Sequence, residues 1–133
     1  MSAPYIHSLS SAKKFGGKPQ DYMAIHKKMD CSKTILPDNR HRLLTHNMFW
    51  VNEVMLPLFG DTLVNSDGKT VSVKDVCEQH ILEDFSMRFI PTPQDYFEQM
   101  PLLDWMNNGM GDPPSSATKI IERRKQGKTI ISD

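Results

Sequence analysis

A chain of 133 residues with 38% apolar and 24% charged residues is long enough to bury a core and too evenly charged for disorder. Its 16 basic and 16 acidic residues cancel, which excludes a global electrostatic footprint for nucleic acid. No stretch approaches the ~18 apolar residues of a membrane span, and the N-terminus lacks the apolar segment of a signal peptide. The two cysteines, Cys31 and Cys77, make no disulfide framework, so a reducing, cytoplasmic setting is expected.

In chain order, a first short helix is expected from Ser8 to Phe15. Ser8 or Ser10 caps it, Lys13 and Lys14 suit its negative end, and Gly16-Gly17 stops it. Pro19 opens a second helix running to about Asp30, with Tyr22, Ile25 and Met29 on one face and His26 at its edge. Asp38 is placed to cap the longest helix, Asn39 to about Met55. Its apolar residues cover more than half the circumference, which marks it as the central helix, closed by Pro57 and Gly60.

Thr62-Leu63-Val64 and Thr70-Val71-Ser72-Val73 flank a turn at Asn65–Lys69, a hairpin with Gly68 at positive φ that must lean on the helices. Ser72 and Asp75 form a capping box for a helix from Val73 to Phe85, with Val73, Val76, Cys77, His80 and Ile81 on one face. Thr92 caps a last helix from Pro93 to about Met106, kinked at Pro101. The fold class expected is mainly α. A compact helical domain over residues 1–108 carries one small β-hairpin at about 61–73, and a polar linker and basic extended tail follow over 109–133.

All five histidines, His7, His26, His41, His46 and His80, lie in the first 80 residues, within stretches that read as polar motifs rather than core. On one helix His41 and His46 would stand about 140° apart, an awkward pair for one ion. His80 has Glu83 and Asp84 at the i,i+3 and i,i+4 positions, which puts an imidazole beside carboxylates. The expected metal ligands are therefore His41, His46 and His80 with Glu83 or Asp84, a set suited to zinc, manganese or iron. His80, His7 and Lys14 are the candidate catalytic groups, and His26 reads as structural.

A second constellation is cationic. Ser10, Ser11, the Gly16-Gly17 amides and Lys14 carry the donors that a phosphate needs, and Arg42 adds a further positive charge. No glycine pattern of a known nucleotide-binding type is present, and no spacing supports a nucleophilic role for either cysteine.

The series YIHSLSSAKKFGGKPQDYMAIH, DCSK, RHRLLTH, NSDGKTVSV, EQHILED and IPT resembles a small family of bacteria and their phages. Its members begin with His-x-x-x-Ser-Ala-Lys-x-Phe-Gly-Gly-x-Pro-x-Asp-Tyr and carry no assigned function. The likeness spans residues 5 to about 105. It singles out His7, Ser11, Lys14, Phe15, Gly16, Gly17, Tyr22, His26, Asp30, Ser32, Lys33, His41, Arg42, His46, Glu78, His80, Glu83 and Asp84. This chain has Asn47 where the family has a second histidine, and a longer passage at Phe85–Phe89.

The function expected first is a small metal-dependent or histidine-based hydrolase of a phosphorylated substrate, a nucleotide or a nucleic-acid strand. The alternative is a non-catalytic phage-type or bacterial adaptor that binds a host protein or a small nucleotide, with the tail making part of the contact. A structural protein in a homo-oligomeric assembly is the third reading.

Overall fold

Helix α6 (Val73–Asp84) is the element on which the others pack in the computed structural model, which describes residues 3–114. Ser72 caps it by accepting a hydrogen bond from the Asp75 amide at 3.2 Å, as the capping pattern predicts. Val73, Val76, Cys77, His80 and Ile81 recur at the i, i+3, i+4, i+7, i+8 spacing of one face, and all five are buried. Histidine thus enters the core on the same stripe as the apolar residues.

Two compact units divide the chain, Met1–Gln99 and Met100–Asp133. In the first, helices α1 (Pro4–Phe15) and α2 (Met23–Met29) are joined by Gly16-Gly17 and a 3-10 turn at Pro19–Asp21. Tyr22, Ile25 and Met29 meet Val51, Met55, Val71 and the α6 residues in the apolar core. Helix α1 is amphipathic in the reverse sense. It buries His7, Ser8 and Ser11 and leaves Tyr5, Ile6 and Leu9 about half exposed. In the second unit, a 3-10 turn spans Asp104–Met106. The basic tail falls largely outside the described residues, from 115 onward.

The long helix expected from Asn39 to Met55 is broken. A 3-10 turn at Asn39–His41 leads into the short helix α3 (Arg42–Thr45), which stops at His46. Asn47 takes an extended conformation and caps the next helix through its side-chain oxygen, bonded to the Trp50 amide at 2.9 Å. That helix runs as α4 (Met48–Trp50), a π-helical turn (Val51–Met55) and α5 (Leu56–Phe59). Pro57 does not close it. The Leu56 amide bonds back to Val51, five residues earlier, and this widened turn accommodates the proline ring before Gly60 ends the helix at φ 85°. The last helix is also shorter than expected: α7 (Pro93–Phe97) ends well before Pro101.

The hairpin forms as expected, with β1 (Thr62–Val64) antiparallel to β2 (Thr70–Ser72) and Leu63 opposite Val71. Asn65 pins it to the helices by donating to the Phe15 carbonyl and the Tyr22 hydroxyl, both at 3.2 Å. Its loop reaches the glycine pair, because Asp67 accepts a hydrogen bond from the Gly17 amide at 2.8 Å. Asp21 meanwhile binds the Ser66 amide and hydroxyl.

Gly17 has φ 75°, and a β-carbon there would lie 2.5 Å from Asp21 Oδ2 and 2.8 Å from Asn65 Cβ. Gly68 has φ 76° with open space around it. Gly17→Ala is therefore expected to destabilise by about 2–3 kcal/mol and Gly68→Ala by about 1 kcal/mol, measured by urea denaturation. Equal losses at the two sites would show that the hairpin is not clamped on the glycine pair.

Candidate metal centre

Asp30 and His46 stand where short helices end, at the C-caps of α2 and α3, while His80 and Asp84 lie one turn apart on α6. Chain breaks at helix ends bring the first two against the α6 stripe. One ligand atom from each of the four lies within 4.8 Å of the others, so the group can hold a metal ion. His46 Nε2 is 2.8 Å from Asp84 Oδ2 and 3.7 Å from Asp30 Oδ1. His80 Nε2 is 3.2 Å from Asp30 Oδ1 and 3.4 Å from Asp84 Oδ2. Two imidazole nitrogens and two carboxylates are a donor set for zinc, manganese or iron.

The far nitrogen of each ring is held by a further polar group, as metal-binding histidines require. His46 Nδ1 is 2.9 Å from Thr45 Oγ1, which is 3.0 Å from Ser32 Oγ, itself 2.7 Å from His41 Nδ1. His80 Nδ1 is 2.8 Å from His26 Nδ1, and His26 Nε2 is 2.7 Å from Ser11 Oγ. Ser11 also meets Gln79 Oε1, while Gln79 Nε2 donates to the His7 carbonyl at 3.1 Å and to Glu83 at 2.8 Å.

The donor inventory gives this second chain a direction. Gln79 must present its amide nitrogen to the two oxygens of His7 and Glu83, so its own oxygen faces Ser11. Ser11 has one hydrogen, and two oxygens, those of the Gln79 amide and the His7 carbonyl, stand ready to take it. Ser11 then accepts from His26 Nε2–H, His26 Nδ1 is left as an acceptor, and His80 Nδ1–H donates to it. His80 Nδ1 is therefore the donor to His26, and Nε2 is the atom that faces the carboxylates.

His7 is the neighbour of this centre. Its ring stacks on His80 with centroids 3.8 Å apart, its Nδ1 is 2.8 Å from Glu83 Oε1, and its buried Nε2 has no hydrogen-bond partner. Asp84 Oδ1 lies 3.3 Å from that nitrogen and 3.8 Å from Arg42 Nη2.

Burial opposes the charge on Asp84, but the imidazoles of His46, His7 and His80 outweigh it and hold the carboxyl far below its usual range. Asp30 is lowered in the same way: burial is overcome by His80, Lys33 and His46. Burial, helped by the charges of His80 and His7, lowers His26 to about 2. Burial also brings His46 to about 4, against the pull of Asp84. For His7 the balance tips the other way, and Asp84 and Glu83 raise it despite burial.

All five histidines are buried, not held in exposed polar motifs. His7, His46 and His80 come together, and His26, read from sequence as structural, bonds directly to His80. His41 stands outside the four-residue group, edge-on to His46 at 5.2 Å, with Nδ1 turned to Ser32. Glu83 is outside it too, because it is engaged by His7, Ser10 and Gln79, and Asp84 belongs to the group instead.

The phosphate grip expected at Ser11, Lys14 and Gly16-Gly17 is not assembled. Ser11 is fully buried and committed to His26 and Gln79, and the Gly17 amide is taken by Asp67. Lys14 lines a surface groove of about 280 Å³ beside Asp75, Glu78 and Ser11's partner Gln79. Arg42 alone of the phosphate candidates sits at the centre. Asp30 was missed as a member of the four-residue group, although His26-x-x-x-Asp30 repeats the spacing of His80-x-x-x-Asp84. Nothing in the spacing marks Thr45 or Gln79.

His26 and His46 hold protons less tightly in the fold than at their ordinary 6.5, so the unfolded chain binds more protons below that pH. Their stabilisation is complete above pH 6.5 and is lost as pH falls toward about 4 and about 2. Asp30 and Asp84 add a loss below their ordinary 3.8. His7, being raised, contributes fully below 6.5 and loses its share as pH rises through its folded value. Chelator-treated protein should therefore melt at lower temperature at pH ~5 than at pH ~7, and a flat profile would refute neutral burial of His26 and His46.

No helix of the described residues is long and apolar enough to cross a membrane. No curated protein and no solved structure matches the chain. The buried histidines and carboxylates all fall within residues 2–106, which match the family described as a domain of unknown function, DUF6915, and to that family the chain belongs.

Proposed function

We propose that the chain is a small metal-dependent hydrolase of a phosphorylated substrate, with Asp30, His46, His80 and Asp84 as its metal ligands. The observation that carries this reading is the direction of the hydrogen bonds behind His80, which commits Nδ1 to His26 and leaves Nε2 facing two carboxylates. A cation among the four atoms would satisfy them together. The metal ion would supply Lewis acidity and lower the pKa of a bound water.

The chain's own residues supply the rest. Arg42, at the outer oxygen of Asp84, offsets the charge of the phosphoryl group. Glu83 orients His7 through Nδ1, so that Nε2, 3.3 Å from Asp84 Oδ1, is the atom that accepts or returns a proton beside the metal. The Ser11–Gln79 chain and the Thr45–Ser32 chain keep the ligand rings from turning.

Elemental analysis of the purified chain, followed by equilibrium dialysis against zinc and manganese, tests the reading. One ion per chain is expected, and it should be lost in Asp84→Asn and His46→Ala. Ser11→Ala should weaken metal affinity about 10- to 100-fold without removing a ligand. Hydrolysis of a chromogenic phosphomonoester should follow metal content. A folded wild-type chain that takes up neither metal would sink the proposal.

A further inference from the structure

Helix α6 ends at Asp84 and passes at once into a strained reversal. Ser86 and Met87 both lie in the left-handed region, at φ 57° and 61°, which residues other than glycine rarely adopt. The Met87 amide closes the turn on the Leu82 carbonyl at 2.7 Å, and the Arg88 amide bonds to the Phe85 carbonyl at 3.2 Å. Strain of this kind persists where the surroundings hold a residue in a required place. The residue so placed is Phe89, whose ring returns to Phe85 with centroids 5.3 Å apart and planes tilted by 38°. Phe85 in turn carries the Arg42 guanidinium 5.3 Å from its own centroid, and Arg42 Nη2 is 3.8 Å from Asp84 Oδ1. A continuous ladder thus runs outward from the metal centre: carboxylate, guanidinium, half-buried ring, exposed ring. Its last rung, Phe89, leaves 51% of its surface to solvent.

We propose that Phe89 is the stacking platform for the base of a nucleoside monophosphate, the phosphoryl group of which meets Arg42 and the metal ion. The inference rests on the metal-dependent reading above and names its class of substrate. Every nucleobase has a π-face that stacks on an aromatic ring, and a phosphoryl group supplies the acceptors that a guanidinium needs. One guanidinium at the Asp84 edge matches one phosphoryl group, and the sugar spans the step that Phe85 occupies between guanidinium and platform. The metal centre and Arg42 read charge alone. Telling a nucleotide from a simple sugar phosphate therefore falls to the exposed ring.

Hydrolysis of adenosine 5′-monophosphate and of ribose 5-phosphate by the full, metal-loaded chain tests the platform, with metal content and circular dichroism measured on every variant. The nucleotide should have the lower KM, by about 5- to 100-fold, the worth of one base stacked on an aromatic ring. Phe89 lies outside the apolar core, so truncating it should spare the fold. Phe89→Ala should raise the KM for the nucleotide and bring the ratio of the two KM values toward one, and Phe89→Trp should restore it. Equal KM values in the wild-type chain, or a nucleotide KM that Phe89→Ala does not move, would overturn the platform and leave the metal centre standing. If the chain takes up no metal or hydrolyses neither ester, the hydrolase reading falls. Calorimetric titration of adenosine 5′-monophosphate then decides the platform by itself. Binding that Phe89→Ala abolishes would support it, and no binding, or binding that survives the substitution, would overturn it.

Discussion

Two carboxylates, Asp30 and Asp84, are buried beside three imidazoles at the heart of the larger unit, and the fold around them is shaped by the need to compensate that charge. Removing an ionised carboxylate from water costs several kcal/mol unless cations or donors replace the solvent. The chain answers with His7, His46 and His80 close by, and with Arg42 and Lys33 at the rim. A group this polar is a poor source of stability compared with apolar packing. Its presence in the core is a sign that the position serves something besides folding.

That demand explains features that are odd in isolation. Helix α1 turns its serines and His7 inward and leaves Tyr5, Ile6 and Leu9 at the surface, because the inner face must supply hydrogen bonds to Gln79, His26 and Glu83. The break at His46-Asn47 divides what would otherwise be one long helix, and it lets His46 point at Asp84 while Asn47 restarts the chain. The hairpin holds the far end of α1 through Asn65 and Asp67. The polar centre thereby rests on a clamped frame, and the apolar core from Tyr22 to Ile81 carries the packing.

Precision at such a centre depends on the groups behind the ligands. Imidazole can rotate and exchange tautomers, and only fixed partners at the far nitrogen decide which atom faces inward. Here the arrangement is settled by Gln79, whose amide is oriented by two oxygens and passes its preference through Ser11 and His26 to His80.

Local order was legible in the sequence because it is set by neighbours along the chain. The Ser72 cap, the apolar stripe of α6, the Gly68 turn and the mainly helical class all follow from residues a few positions apart. A meeting of His7, His46 and His80 was also expected, from residue type and motif, and their rings do come together. The choice between Glu83 and Asp84, the admission of Asp30 and the role of His26 were decided only by the tertiary structure. Each depends on which helix face meets which partner across the core, and spacing along one helix carries no information about that. The glycine pair shows the same limit: the Gly17 amide donates to Asp67, fifty residues on in the chain, and the Gly16 amide to the Ala12 carbonyl.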